Sequence, residues 1–218
     1  MSSLTFQRSH FEEEPVLGII RGVSSASLQG VIEAAIAGGL RYVEITLNTP
    51  DAPRLIEMTA RNYSQSICVG AGTALSRQDA ATALASGAKF IVAPTLCEEV
   101  GAFCREKQIG YFPGALTPTE IEKAWNAGAT MVKVFPAVRL GPDYFREVKG
   151  PFQHISLMAV GGVAPHNIPD YLAAGASALA VGGSVFSVSR MKDREFSLIQ
   201  RDIEGFLLAV RTFYSKLC

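Results

Sequence analysis

Four times along the chain a helix-like stretch ends in a small, glycine-containing corner, and a short apolar run follows at once. The copies are Ala37-Gly38-Gly39 before Tyr42-Val43-Glu44-Ile45, Ser86-Gly87-Ala88 before Phe90-Ile91-Val92-Ala93, Ala127-Gly128-Ala129 before Met131-Val132-Lys133-Val134, and Ala174-Gly175-Ala176 before Ala178-Leu179-Ala180-Val181. A glycine just past a helix supplies the left-handed residue that ends it, and a short apolar, β-branched run reads as a strand buried on both faces of a parallel sheet. Further runs of this character lie around residues 17–20, 67–69, 110–112 and 155–160, which makes eight strands. The segments between them carry helical patterns, among them 27–37, 77–85, 98–107, 119–127 and 167–174, several opened by Ser, Thr, Asp or Pro at capping positions. After the last strand, Phe196, Ile199, Ile203, Phe206, Val210 and Phe213 recur at alternating spacings of three and four, which predicts an amphipathic closing helix over about 194–216.

Strands alternating with helices at this length fit an α/β chain folded as a single (β/α)8 TIM barrel, at the compact end of its size range. A doubly wound open sheet is the competing arrangement. It loses its best support because no GxGxxG follows the first strand. No linker, low-complexity tract or charge run divides the sequence, so 1–218 reads as one domain with 1–15 as an N-terminal extension.

Composition narrows the partners. With 48% hydrophobic and 18% charged residues the chain is ordinary for a soluble globular protein, and twenty Lys+Arg against twenty Asp+Glu leave no net charge. There is thus no global field to draw it to nucleic acid or an anionic membrane, and a charged ligand must be met locally. Glu12, Glu13 and Glu14 stand where a signal peptide would need its apolar core, and no apolar run approaches the roughly 18 residues of a membrane span. Cys68, Cys97, Cys104 and Cys218 show neither CxxC spacing nor the density of a disulfide scaffold. A cytoplasmic protein is expected.

In such a barrel the reactive residues lie at the C-terminal ends of the strands. Glu44 and Lys133 are each the fifth residue after the helix-ending glycine of their repeat, Gly39 and Gly128, so they occupy equivalent places. Strand alternation puts Tyr42, Glu44, Thr46 and Asn48 on one face, the interior, and Val43, Ile45 and Leu47 on the other. Lys133 likewise shares its face with Met131 and Phe135. Enclosed by apolar groups, its ammonium form is disfavoured, and a neutral amine at pH 7 is the nucleophile that makes a Schiff base with a carbonyl. Glu44 would then move protons. The alternative is a salt-bridged or snorkelling lysine with Glu44 as its ion-pair partner.

A second constellation is Gly161-Gly162 after the seventh run and Gly182-Gly183-Ser184 after the eighth. Loops at these two places are the recurrent phosphate site of such barrels, although glycines serve a tight rim turn equally well. Gly70-Ala71-Gly72-Thr73 after the third run offers backbone and the Thr73 hydroxyl to a carboxylate, or is a close-packed turn. Arg21, at the end of the first run, holds an anion or forms a salt bridge. His10, His154 and His166 lack ligand spacing and the cysteines do not complete a set, so no metal site is expected.

Val43-Glu44-Ile45-Thr46-Leu47, Gly70-Ala71-Gly72-Thr73, Val132-Lys133-Val134-Phe135-Pro136-Ala137, Gly161-Gly162-Val163 and Val181-Gly182-Gly183-Ser184, in this order, resemble the motifs of the 2-keto-3-deoxy-6-phosphogluconate aldolase family. The resemblance implies a class I aldolase, a lyase free of metal and cofactor and usually a homotrimer. Its substrate would be a phosphorylated 2-keto-3-deoxy sugar acid, split into pyruvate and glyceraldehyde 3-phosphate. By position Lys133 is similar to the Schiff-base lysine and Glu44 to the general acid/base. Thr73 corresponds to a carboxylate contact, Arg21 to a substrate contact, and Gly161, Gly162, Gly183 and Ser184 to the phosphate cradle. Asn48 stands where gluconate-type members carry arginine, and Val160 where they carry threonine, as in members acting on the galactonate epimer. With Phe135 these are the expected specificity positions. A phosphosugar isomerase or epimerase barrel, or a non-catalytic sugar-phosphate-binding barrel, are the competing functions.

Overall fold

The computed structural model describes residues 4–216. A short helix α1 (Arg8–Glu13) precedes β1 (Val16–Ile20), and α2 (Ser25–Ala37), β2 (Tyr42–Thr46), α3 (Ala52–Tyr63), β3 (Cys68–Gly72), α4 (Arg77–Ala85), β4 (Phe90–Val92) and α5 (Glu98–Lys107) follow in alternation. Next come β5 (Gly110–Phe112), β6 (Gly114–Ala115), α6 (Pro118–Asn126), β7 (Val132–Val134), α7 (Ala137–Lys149), β8 (Leu157–Val160), α8 (Ile168–Ala173) and β9 (Ala178–Val181). Two helices close the chain, α9 (Val188–Lys192) and α10 (Phe196–Ser215).

The strands form one parallel sheet in the order β5-β4-β3-β2-β1-β9-β8-β7-β6. Its two edge segments, β5 and β6, are joined through Pro113 alone, so the chain itself closes the sheet into a barrel. The fifth expected strand is therefore two ladder segments rather than one. Pro113 has no N–H to give to a ladder; its carbonyl accepts from Lys133 N–H at 2.8 Å, while Phe112 pairs back to β4. The strand thus changes neighbours at the proline.

Alternation sorts the strand residues as expected. Val43, Ile45, Val69, Ala71, Val132 and Val134 belong to the core between barrel and helices, while Leu17, Tyr42, Cys68, Phe90, Met131, Met158 and Ala178 fill the barrel interior. Two expectations need correction. Gly70-Ala71-Gly72 is strand, not loop: β3 runs to Gly72, paired residue for residue with β2. Glycine is tolerated there because its inward space is taken by neighbouring side chains, Phe90 at Gly70 and Glu44 at Gly72. Conversely, the inward alternation of β2 stops at Thr46. Thr49 N–H bonds the Thr46 carbonyl at 2.9 Å, which turns the chain and leaves Asn48 exposed on the turn.

The helices follow from local signals. Ser76 with Asp79 and Thr117 with Glu120 form complete capping boxes at α4 and α6, each cap worth about 1 kcal/mol. Helix α10 lies on α2 and α8, with Ile199, Ile203, Phe206, Leu207 and Val210 buried. The N-terminal segment closes the barrel's far end: Phe6 and Phe11 join Tyr42, Phe90 and Phe112 in one aromatic cluster with ring centroids 5.0–5.9 Å apart.

Candidate active site

At the C-terminal ends of the strands a cavity of about 600 Å³ opens over the barrel core. Lys133 reaches it from β7, Val160 from β8, and Thr73 and Arg21 from just beyond β3 and β1. Gly161, Gly162, Gly183 and Ser184 form its rim on one side and Phe135 stands at its mouth, 44% exposed. The sequence-derived site residues are therefore brought together with two exceptions. Asn48 does not line the cavity. Glu44 lies beneath it, fully buried.

Lys133 and Glu44 point into the same interior from β7 and β2. Both Glu44 carboxyl oxygens are buried without a hydrogen-bond partner, so the expected alternative, a hydrogen-bonded ion pair with Lys133, is not formed. Burial pushes the Glu44 carboxyl above its ordinary range, against the opposing pull of the Lys133 and Arg21 charges. Burial pushes the Lys133 amine below its ordinary range; Glu44 opposes that shift and Arg21 adds to it. Desolvation favours the neutral form of each. An uncharged amine and a protonated carboxyl can thus face one reacting centre. The Lys133 Nζ lies 5.4 Å from the centroid of the Phe135 ring, which walls the amine on its open side.

The glycine-rich rim has two parts with different causes. Gly161 and Gly162 have φ of +93° and +78°, a left-handed turn that glycine alone adopts without strain. Asn167 pins that turn, donating to the Gly162 carbonyl at 3.0 Å and accepting from Ala164 N–H at 2.9 Å. Gly183 is unlike them, since its φ is not left-handed and a Cβ there would meet nothing within 4 Å. Backbone geometry and packing do not require glycine at 183, and its backbone is open to the cavity. Among the described residues, none of the N–H groups of Gly161, Gly162, Gly183 and Ser184 donates to a protein acceptor. Such a set of free rim N–H groups suits an anion.

Thr73 holds φ +61°, an outlier for a β-branched residue and the kind of strain that collects at ligand sites. None of the ion pairs among the described residues involves Arg21, which leaves its guanidinium for the cavity. The loop that carries it is tied down by Gly22 N–H donating to Thr49 Oγ1 at 2.9 Å, and that hydroxyl lies 3.1 Å from Thr46 Oγ1. Sequence reasoning did not find this threonine pair, nor Ser187 on the cavity wall; Ile19, also lining the wall, was legible from the alternation that places Leu17 inward. Among the described residues no group of three His, Cys, Asp or Glu is placed to hold a metal ion.

Known proteins resemble this chain in sequence and fold. The family model described as KDPG and KHG aldolase matches residues 8–201. The 2-dehydro-3-deoxy-6-phosphogalactonate aldolase of Escherichia coli is 30% identical over 202 residues, covering 90% of this chain and 97% of that protein. The 2-dehydro-3-deoxy-phosphogluconate aldolase of Pseudomonas aeruginosa is 32% identical over 183 residues, covering 84% and 82%. A solved structure described as native KDPGal superposes with a TM-score of 0.89 at 27% identity, covering 97% of this chain and all of that one. In fold, in the alignment of nearly the whole chain and in the motifs that meet at the cavity, this protein belongs to the KDPG and KHG aldolase family.

Proposed function

We propose that Lys133 is the Schiff-base nucleophile and Glu44 the proton carrier of a class I aldolase. The reaction cleaves a phosphorylated 2-keto-3-deoxy sugar acid to pyruvate and glyceraldehyde 3-phosphate. The observation that carries the reading is the buried amine of Lys133 opening on a cavity, above a buried carboxyl that has no partner of its own. The neutral amine adds to the C2 ketone, and the resulting carbinolamine loses water as Glu44 delivers a proton to the departing hydroxyl. The iminium so formed is the electron sink. Glu44, now a carboxylate, takes the C4 hydroxyl proton; the C3–C4 bond breaks, the aldehyde leaves, and the electron pair of that bond neutralises the iminium as an enamine. Protonation at C3 and hydrolysis then free pyruvate and return the lysine. The protein's own lysine supplies the electron sink, so the scheme needs no cofactor.

Thr73 and Arg21 are the proposed contacts for the substrate carboxylate and hydroxyls, and the free N–H groups at Gly161, Gly162, Gly183 and Ser184, with the Ser184 hydroxyl, are the proposed phosphate cradle. Phosphate held away from the reacting carbons positions C4 without entering the bond breaking. Val160 and Phe135 are the proposed specificity walls. A valine near C4 offers no hydrogen bond, worth about 0.5–1.5 kcal/mol to a matching hydroxyl, and this favours the galactonate epimer. Asn48 contributes by leaving out the arginine of gluconate-type members.

Pyruvate release from the 6-phosphogalactonate and 6-phosphogluconate substrates, followed by a coupled assay, tests the reading. Cleavage of either, faster for the galactonate epimer and lost in Lys133→Arg, supports it. Appreciable pyruvate release in Lys133→Arg would overturn the nucleophile role; isomerised substrate without pyruvate would instead mark an isomerase-type site in which the lysine only binds charge, and binding without turnover a sensor. A cytoplasmic homotrimer completes the proposal: Leu75 and Leu116, on loops beyond β3 and β6, and Val138, in the first turn of α7, expose 58%, 39% and 53% of their surface. Sedimentation equilibrium should give three times the 23.3 kDa chain mass, and a monomer mass would reject it.

A further inference from the structure

We propose that Gly72 is a positioning residue for the Glu44 carboxyl group, a role that rests on Glu44 being the proton carrier. The inward positions of β3 are Cys68, Gly70 and Gly72, and the register sets Gly70 beside Glu44 and Gly72 beside Thr46. Both glycines leave space that another side chain fills. At Gly70 it is the Phe90 ring, an apolar contact of the barrel core. At Gly72 it is the carboxyl end of Glu44: a Cβ added there would strike Oε1 and would lie 2.6 Å from Cδ and 3.2 Å from Cγ.

The backbone of Gly72 is not left-handed, so alanine would be free of backbone strain, and room is the one thing glycine provides. That room bears on where the carboxyl sits, because packing, and no hydrogen bond, fixes it. Neither oxygen has a hydrogen-bond partner, and the group is held by packing from every side. Non-bonded carbons settle about 3.5–4.0 Å apart, so a methyl group at position 72 displaces the carboxyl by about 1 Å. A misplacement of that size at a reacting group costs on the order of 10²-fold in rate.

The test is a double-mutant cycle of Gly72→Ala with Glu44→Asp, which draws the carboxyl back along its own side chain and away from position 72. Gly72→Ala alone should lower kcat by roughly 10²-fold with KM little changed. In the Glu44→Asp background the same substitution should cost less than about threefold, a strong non-additivity between sites in contact. An equal cost in both backgrounds, or wild-type kcat in Gly72→Ala, overturns the proposal. Thermal midpoints give the second readout: any loss of stability on Gly72→Ala, up to failure to fold, should vanish with Glu44→Ala in the same chain. Persistence of that loss would show that the methyl group strikes something else. Glu44→Gln separates the two levels. If it keeps wild-type turnover the proton-carrier reading fails, and the proposal with it, whereas loss of turnover in Glu44→Gln beside full activity in Gly72→Ala overturns the positioning role alone.

Discussion

Desolvation acts on Lys133 and Glu44 in opposite senses, disfavouring the ammonium form of the one and the carboxylate form of the other. In water those charged forms would prevail; in the barrel interior both shifts run toward the carboxylic acid and the free amine. The pair titrates in two macroscopic steps, so kcat/KM should follow a bell. Its acid limb should lie well below the ordinary lysine value of 10.5, and its basic limb above the ordinary glutamate value of 4.5. An acid limb near 10.5 would contradict the neutral amine. The same shift is a stability statement. Because the folded Lys133 binds a proton less readily than the unfolded one, the unfolded chain takes up more protons between the lowered value and 10.5, and stability rises with pH across that window. At pH 7 the buried amine is therefore a burden on the fold. Lys133→Met should abolish cleavage, by at least about 10⁴-fold, while keeping or raising stability by up to roughly 1–4 kcal/mol. Thermal unfolding beside the activity assay checks it, and a large loss of stability would show that the lysine is structural.

At the level of elements, the strand ends do the positioning, and one tie between them is open to test. Thr49, buried in the turn after β2, accepts from Gly22 N–H next to Arg21. Thr49→Val keeps the shape and removes the acceptor, which should cost about 1 kcal/mol of stability and raise KM severalfold with kcat nearly intact. Unchanged KM would detach Arg21 from substrate binding. The repeat made the strands legible because each is short, apolar and announced by a glycine corner. What it did not carry was where a strand stops. The glycines of β3 read as loop because a sequence does not show that Phe90 and Glu44 occupy their empty side. Asn48 read as inward because alternation was continued past Thr46, where a backbone turn had already ended it. The break of the fifth strand at Pro113 was signalled by the proline itself.

Across the whole molecule, the two ends of the barrel were unequally readable. The end carrying the C-terminal strand ends was the more legible, since Lys133, the double glycines after the last two strands and Arg21 after the first line one cavity, with Glu44 buried beneath it. The other end was less so. Residues 1–15 read as an extension, yet Phe6 and Phe11 complete the aromatic cluster that closes the barrel; a helix of six residues carries too little periodicity to announce such long-range packing. No described helix is long and apolar enough to cross a membrane. If Lys133 is the Schiff-base nucleophile, it becomes covalently bound to the substrate carbonyl. Incubation with pyruvate, reduction with borohydride and mass spectrometry of the intact chain and its peptides reads that bond. A single reduced pyruvyl adduct on the peptide carrying Lys133 is expected; folded protein that forms no adduct, or forms it on another lysine, would contradict the role.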